Sequence, residues 1–359
     1  MSKVRVLIAE DSSIFAAVLE DIFAHEPDLD LIGIVDDGEK ALELCLRERP
    51  DVVLMDVQMP KLDGLAATEQ IMARSPTPIL IITSDPWRGG VDMSFKALDA
   101  GALDLFPKTA LRPGDTKSRR EFLRKVRLLA EIPVIRHVRG RKLATPVAVS
   151  VTNASRAHAP TRARFSALPL LGLVASTGGP KALAQILGEL PSDLPAALLI
   201  VQHITHGFTE HLARWLDQNS NLVVQEATPG IEPAPGHAYI APSGHHLTID
   251  KRGRLALEHS AAVSGHIPSG DVLLSSMARH MWRRSLGVIL SGMGADGARG
   301  MLELARAGCP TFAQDRQSSV VWGMPRAALE LEAVSEIVEL SELATCLQRY
   351  ALSMTRSAR

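Results

Sequence analysis

The sequence predicts an α/β protein built from two doubly wound parallel-sheet domains joined by a linker. Three observations carry this. Short, continuously apolar runs alternate with segments of helical spacing through about residue 130, as strands buried on both faces of a parallel sheet should. The same alternation resumes at Leu170. At 359 residues the chain is also too long for one ordinary core.

In the first half, Val4–Ala9 and residues 51–55 and 78–83 read as strands, with helices over 13–25, 38–49 and 64–74. Between Glu131 and Glu189 there is no acidic residue, while Arg136, Arg139, Arg141, Lys142, Arg156, Arg162 and Arg164 stand among Ala, Pro, Ser and Thr. This composition reads as an exposed basic linker, either a solvated tether or a contact for an acidic partner. Beyond it, Leu170–Ala175 and residues 196–202, 237–241 and 286–291 read as strands. Helices are expected over 181–190, 207–219, 270–282 and 297–307, with a frayed tail after about Leu352. The division predicted is 1–130, a linker over 131–167, and 168–355.

Composition narrows the function classes. The 39 basic and 40 acidic residues nearly cancel, which argues against nucleic acid as a partner. No apolar run approaches a membrane span, so no membrane insertion is expected. The three cysteines are sparse and without metal-like spacing, as expected of reduced thiols in the cytoplasm.

Two constellations carry chemistry. In the first, Glu10 and Asp11 follow the first strand and Asp56 follows the run 51–55, at carboxyl ends where open α/β sheets place ligand sites. Three carboxylates gathered there need a cation, and an all-oxygen set suits Mg²⁺. Thr83 and Lys108 offer a hydroxyl and an ammonium to a phosphoryl group on Asp56. Glu10-Asp11-Ser12, Asp56 through Gly64, Thr83 and Lys108 together resemble the response-regulator receiver pattern over roughly residues 3–128. The resemblance implies a flavodoxin-like fold with Asp56 as phospho-acceptor, Glu10 and Asp11 as Mg²⁺ ligands, and Thr83 and Lys108 as phosphoryl sensors. Thr109 stands where that family usually has proline, and Leu105 occupies its aromatic switch position.

In the second constellation, Ser176 follows a strand and precedes Thr177-Gly178-Gly179-Pro180, a turn into a helix whose free N–H groups suit an oxyanion. His203, directly after the run 196–202, is the base expected by position; His206, His211, His245 and His246 compete with it. The pair His245-His246 lacks the further spacing that completes a metal site. Asp296, just past the run 286–290, is the orienting acid expected.

These residues lie in segments similar to the catalytic domain of protein-glutamate methylesterases of bacterial chemotaxis. The segments include Ala175-Ser176-Thr177-Gly178-Gly179-Pro180, Gln202-His203 through Thr209, Pro268-Ser269-Gly270-Asp271 and Ser291-Gly292-Met293-Gly294-Ala295-Asp296-Gly297. Val174 stands where that family commonly has glycine. The resemblance implies a Rossmann-like hydrolase domain cleaving receptor glutamate methyl esters, and glutamine amides as a second activity. Its oxyanion donors would lie near Thr177 and Met293. It further implies methyl-accepting chemotaxis receptors as substrates and a chemotaxis histidine kinase as phosphodonor. The order of receiver, flexible linker and enzyme suggests that the unphosphorylated receiver covers the hydrolase site.

Two rivals come from other classes. Gly292-x-Gly294-x-x-Gly297 with Asp315 downstream matches a dinucleotide-binding pattern, against which Asp296 would set a carboxylate beside the pyrophosphate. A response regulator without enzymatic output is the other, opposed by the complete Ser/His/Asp set and the lack of a basic recognition helix.

Overall fold

The computed structural model describes residues 3–83, 90–112, 114–134 and 168–357. Most of the expected linker, from residue 135 on, lies outside them.

The first domain alternates β1 (Val4–Ala9), α1 (Ser13–Ala24), β2 (Leu29–Val35), α2 (Gly38–Glu48), β3 (Val52–Asp56), α3 (Gly64–Arg74), β4 (Ile79–Thr83), α4 (Gly90–Asp99), β5 (Asp104–Pro107) and α5 (Thr116–Ala130). The strands are parallel in the order β2-β1-β3-β4-β5. Every residue of β3 and β4 is buried, which is why these strands read as unbroken apolar runs. Asp37, Asp63 and Asp115 start α2, α3 and α5, each side chain accepting a backbone N–H of the first turn. Because the chain winds outward from β1 in both directions, the cleft between β1 and β3 is the topological switch point.

The second domain begins with β6 (Leu170–Ala175), α6 (Gly179–Glu189), β7 (Ala197–Gln202), α7 (Thr209–Gln218), β8 (Val223–Glu226) and β9 (His237–Ile240). A hairpin of β10 (His246–Ile249) and β11 (Leu255–Glu258) precedes α8 (Gly270–Met281) and β12 (Ser285–Ile289). Then follow α9 (Ala298–Arg306), β13 (Thr311–Gln314), α10 (Gly323–Glu330), β14 (Glu336–Val338) and α11 (Leu340–Ser357). Seven parallel strands run β14-β13-β12-β6-β7-β9-β8, with the switch point between β12 and β6.

Both sheets are thus the doubly wound parallel kind expected. The tail differs: α11 continues to Ser357 instead of fraying after Leu352. Leu343, Leu347 and Ala351, spaced i, i+4, i+8, bury one face of it, and the Tyr350 hydroxyl donates to Ser285 O at 2.9 Å.

The domains touch. α4 packs on α7, where Phe95 and Trp215, both buried, stack. Asp99, at the end of α4, interacts electrostatically with Lys181 of α6 and with the Trp215 indole.

Candidate active site

In the first domain, Asp56 is the last residue of β3 rather than the one after it, and Glu10 follows β1 directly. Both are buried, Asp11 is exposed, and oxygens of the three lie within 4.8 Å of one another. Burial pushes the Glu10 and Asp56 carboxyls above their ordinary range. Lys108, one residue past β5, opposes this, its Nζ 2.7 Å from Glu10 Oε1 and 2.8 Å from Asp56 Oδ2. Thr83 closes β4 and is buried. All five predicted residues therefore lie along the carboxyl edge of one sheet. This set of hard oxygen donors, clustered and only partly neutralised by one ammonium, fits Mg²⁺.

In the second domain, register aligns the strand ends: Ala175 of β6 pairs with Gln202 of β7, so Ser176 and His203 leave the sheet side by side. Gly178 caps α6 at φ 78°, and a Cβ there would come within 2.5 Å of Val320, so both conformation and space require glycine. The Ser176 N–H donates to Ser291 O at 3.0 Å, tying the turn to the segment after β12.

Asp296, 1% exposed, lies in that segment. His203 Nε2 meets Asp296 Oδ2 at 2.7 Å. Three further donors converge on the carboxylate: Ser269 Oγ at 2.5 Å, Gly270 N at 2.6 Å and Asp271 N at 3.3 Å, the last two at the N-terminus of α8. Burial alone would raise the Asp296 carboxyl, but the His203, Ser269 and Gly270 contacts outweigh it and hold the group below its ordinary range. An ionised carboxylate only accepts, so Nε2 carries the imidazole proton. His203 Nδ1, a lone-pair acceptor in that tautomer, is buried and has no hydrogen-bond partner among the described residues.

Ser176, Thr177, His203, His206 and Met293 line one cleft of about 330 Å³. Residues of the first domain line it too: Phe106 of β5, Ala110 shortly after that strand, and Lys117, Glu121 and Arg124 of α5. Of the competing histidines, His245 is exposed, and His246 is buried with Nδ1 accepting the Ser269 N–H at 3.1 Å and Nε2 3.2 Å from Ala261 O. His211 lies on α7.

Three residues near this site had no role in the sequence reading. Gln202 Nε2 donates to Ser176 O at 2.8 Å and His203 O at 3.0 Å, joining the two strand ends. Ser269 and His266 hold Asp296 and His203; the His266 ring stacks on His203 with centroids 3.9 Å apart and planes 8° apart. A serine immediately before a helix was a visible N-cap signal, yet Ser269 makes no side-chain cap bond and spends its hydroxyl on Asp296. Nothing local in sequence marks His266.

Val174 explains itself in space. A Cβ on Gly270 would fall 2.3 Å from Val174 Cγ1, and one on Gly297 3.1 Å from it. The valine side chain fills room that two glycines leave open, and the turn at Ser176 is kept.

An acidic cleft at the carboxyl edge of one doubly wound sheet and a Ser/His/Asp strand-end site on the other fit the class of a response regulator with a hydrolase output. Known proteins agree. The response regulator receiver domain family matches residues 6–114, and the CheB methylesterase family matches residues 171–347. Protein-glutamate methylesterase/protein-glutamine glutaminase 3 of Myxococcus xanthus (strain DK1622) is 43% identical over 342 residues, covering 95% of this chain and 92% of that protein. Protein-glutamate methylesterase/protein-glutamine glutaminase 2 of Anaeromyxobacter dehalogenans (strain 2CP-C) is 41% identical, covering 96% of each. The crystal structure of the Thermotoga maritima CheB methylesterase catalytic domain is 34% identical, covers 51% of this chain and 98% of its own, and has a TM-score of 0.49. The chain belongs to the protein-glutamate methylesterase/protein-glutamine glutaminase family.

Proposed function

We propose that the chain divides into a receiver (1–130), a linker (131–167) and a hydrolase (168–355). The hydrolase cleaves glutamate γ-methyl esters, and deamidates glutamines, on methyl-accepting chemotaxis receptors in the cytoplasm. No helix among the described residues is long and apolar enough to cross a membrane. The observation carrying the reading is the His203–Asp296 contact, which leaves a buried acceptor, His203 Nδ1, in the cleft that Ser176 lines.

In the reaction, Nδ1 takes the Ser176 hydroxyl proton as Oγ attacks the ester carbonyl. The Ser176–Nδ1 contact forms as substrate enters, in keeping with catalytic hydrogen bonds that close only in the bound complex. Asp296 holds the tautomer and stabilises the imidazolium. Backbone N–H groups near Thr177 and Met293 receive the oxyanion. His203 returns the proton to departing methanol, or to ammonia from an amide, and the same base then activates water against the acyl-enzyme.

The receiver controls access. With α5 forming a wall of the cleft, the closed arrangement keeps receptor segments from Ser176. Phosphorylation of Asp56 by a chemotaxis histidine kinase shifts the population toward an open form. Glu10, Asp11 and Asp56 would hold Mg²⁺, which shields the charge on phosphoryl oxygens; Thr83 and Lys108 engage the phosphoryl group. A fragment starting at about residue 165 tests this control: it should release methanol faster than the unphosphorylated full chain. Equal rates would leave the receiver as a docking module.

A further inference from the structure

Between the β10–β11 hairpin and α8 runs a short segment whose side chains grip both His203 and Asp296. Val263 and His266 exchange backbone hydrogen bonds of 3.2 and 3.0 Å, closing a turn that places the His266 ring face to face on His203. Three residues on, Ser269 is fully buried, and its hydroxyl reaches the Asp296 oxygen that His203 does not use. The segment is itself anchored at both ends. His246 accepts the Ser269 N–H, and Asp271 accepts the Ser264 hydroxyl at 3.2 Å and the Gly300 N–H at 3.0 Å.

We infer that His266 and Ser269 are positioning residues of the hydrolase: His266 is a flat plate fixing the plane of the His203 imidazole, and Ser269 fixes the Asp296 carboxylate that orients it. This rests on the proposed hydrolase reading. The two contacts restrain different freedoms. An imidazole held only by Nε2 can still swing about that bond, taking Nδ1 away from Ser176. A parallel ring at stacking distance removes the swing. A carboxylate held only by its histidine can rotate, and Ser269 on Oδ1 with Gly270 on Oδ2 prevents that. His266 suits a passive plate because burial first, then the His203 charge, with Arg124 and Lys117 of α5 adding to them against the opposing pull of Asp296, pushes it down to about 4. It therefore stays neutral while His203 gains and loses its proton.

The test uses the full chain with a small-molecule phosphodonor and Mg²⁺ present, so that the cleft is open, and two readouts. One is the rate at which a fluorophosphonate probe labels Ser176, forming the Oγ–P bond and expelling fluoride while His203 takes the hydroxyl proton. It reads activation of the nucleophile whatever the natural substrate. The other is kcat and KM for methanol release from a methylated receptor fragment. His266→Ala and Ser269→Ala should each slow labelling and kcat by about 10- to 100-fold, with KM within about twofold. His266→Phe, which keeps a flat ring and no titratable group, should restore most of the loss, as should Ser269→Thr, which keeps the hydroxyl. Urea midpoints select folded variants, and any variant that fails to fold leaves the decision to the other position. Labelling and kcat within about twofold of wild type for the alanine variants would overturn the inference. So would a loss confined to KM, or a His266→Phe protein as slow as His266→Ala. If the wild type labels at Ser176 but releases no methanol, the substrate reading fails while the labelling rates still decide this inference. If Ser176 does not label at all, both fall.

Discussion

Phe95 of α4 and Trp215 of α7 stack across the boundary between the two domains, ring centroids 5.3 Å apart and planes 24° apart. Both are buried, so an aromatic from each domain completes the other's surface. A pair of this kind contributes about 0.5–1.5 kcal/mol beyond the area it buries.

Phe95→Ala should therefore loosen the closed arrangement. A loss of about 1.4 kcal/mol shifts a two-state balance about tenfold. Basal ester hydrolysis should rise by several-fold, up to about tenfold, and the further stimulation by a phosphodonor should shrink correspondingly. An unchanged basal rate would show that this contact does not gate access to Ser176.

Asp56 carries a testable sign. Burial raises its carboxyl in the folded protein, so the stability it contributes is greatest at low pH and is lost as pH rises through the folded value. At neutral pH without Mg²⁺ the ionised group is a load. Asp56→Asn should then have a higher urea midpoint than wild type near pH 8, with the gap closing as pH falls through the raised range. Mg²⁺ should narrow the same gap at constant pH by stabilising the wild type more than the variant, which keeps Glu10 and Asp11 but lacks the third carboxylate. The variant should also lose phosphodonor stimulation while keeping its basal rate. A gap that widens on acidification would contradict the assignment of the raised carboxyl.

Asp296→Asn keeps the shape of the site but lets the side chain donate to Nε2, favouring the tautomer with the proton on Nδ1. Activity should fall on the order of 10³- to 10⁴-fold, measured as kcat for methanol release from folded protein. A loss under about tenfold would remove Asp296 from the role proposed.

Gly270 and Val174 should behave as a coupled pair. Adding a Cβ at Gly270 presses on Val174 Cγ1, on a side chain with little rotamer freedom. Gly270→Ala should cost about 1–3 kcal/mol in urea unfolding and lower activity by moving the N–H that reaches Asp296. Adding Val174→Ala should recover part of both losses, a non-additivity expected of touching residues. Strict additivity would mean the two do not share this space.

Much of this organisation is legible in the chain. β3, β4, β6 and β7 are buried on both faces, so their apolar runs stand out, and the chemistry follows directly after such runs at Glu10, Ser176 and His203. Short elements are harder to see. β14 has three residues, two of them exposed, and β8 alternates at the sheet edge, so neither carries a long apolar run. In α11 the i, i+4, i+8 spacing of Leu343, Leu347 and Ala351 marks the helix only as far as Ala351; residues 352–355 include no buried side chain to signal its last turn. What pairs Phe95 with Trp215, or His266 with His203, is the packing of elements far apart in sequence, which no local pattern encodes.

The most direct test of the whole account is methanol release from methylated receptor cytoplasmic fragments by the full chain, with and without a small-molecule phosphodonor and Mg²⁺, beside Ser176→Ala. The account predicts release by wild type that rises with phosphodonor and is nearly abolished in Ser176→Ala. Substantial methanol release from the folded Ser176→Ala protein would contradict it.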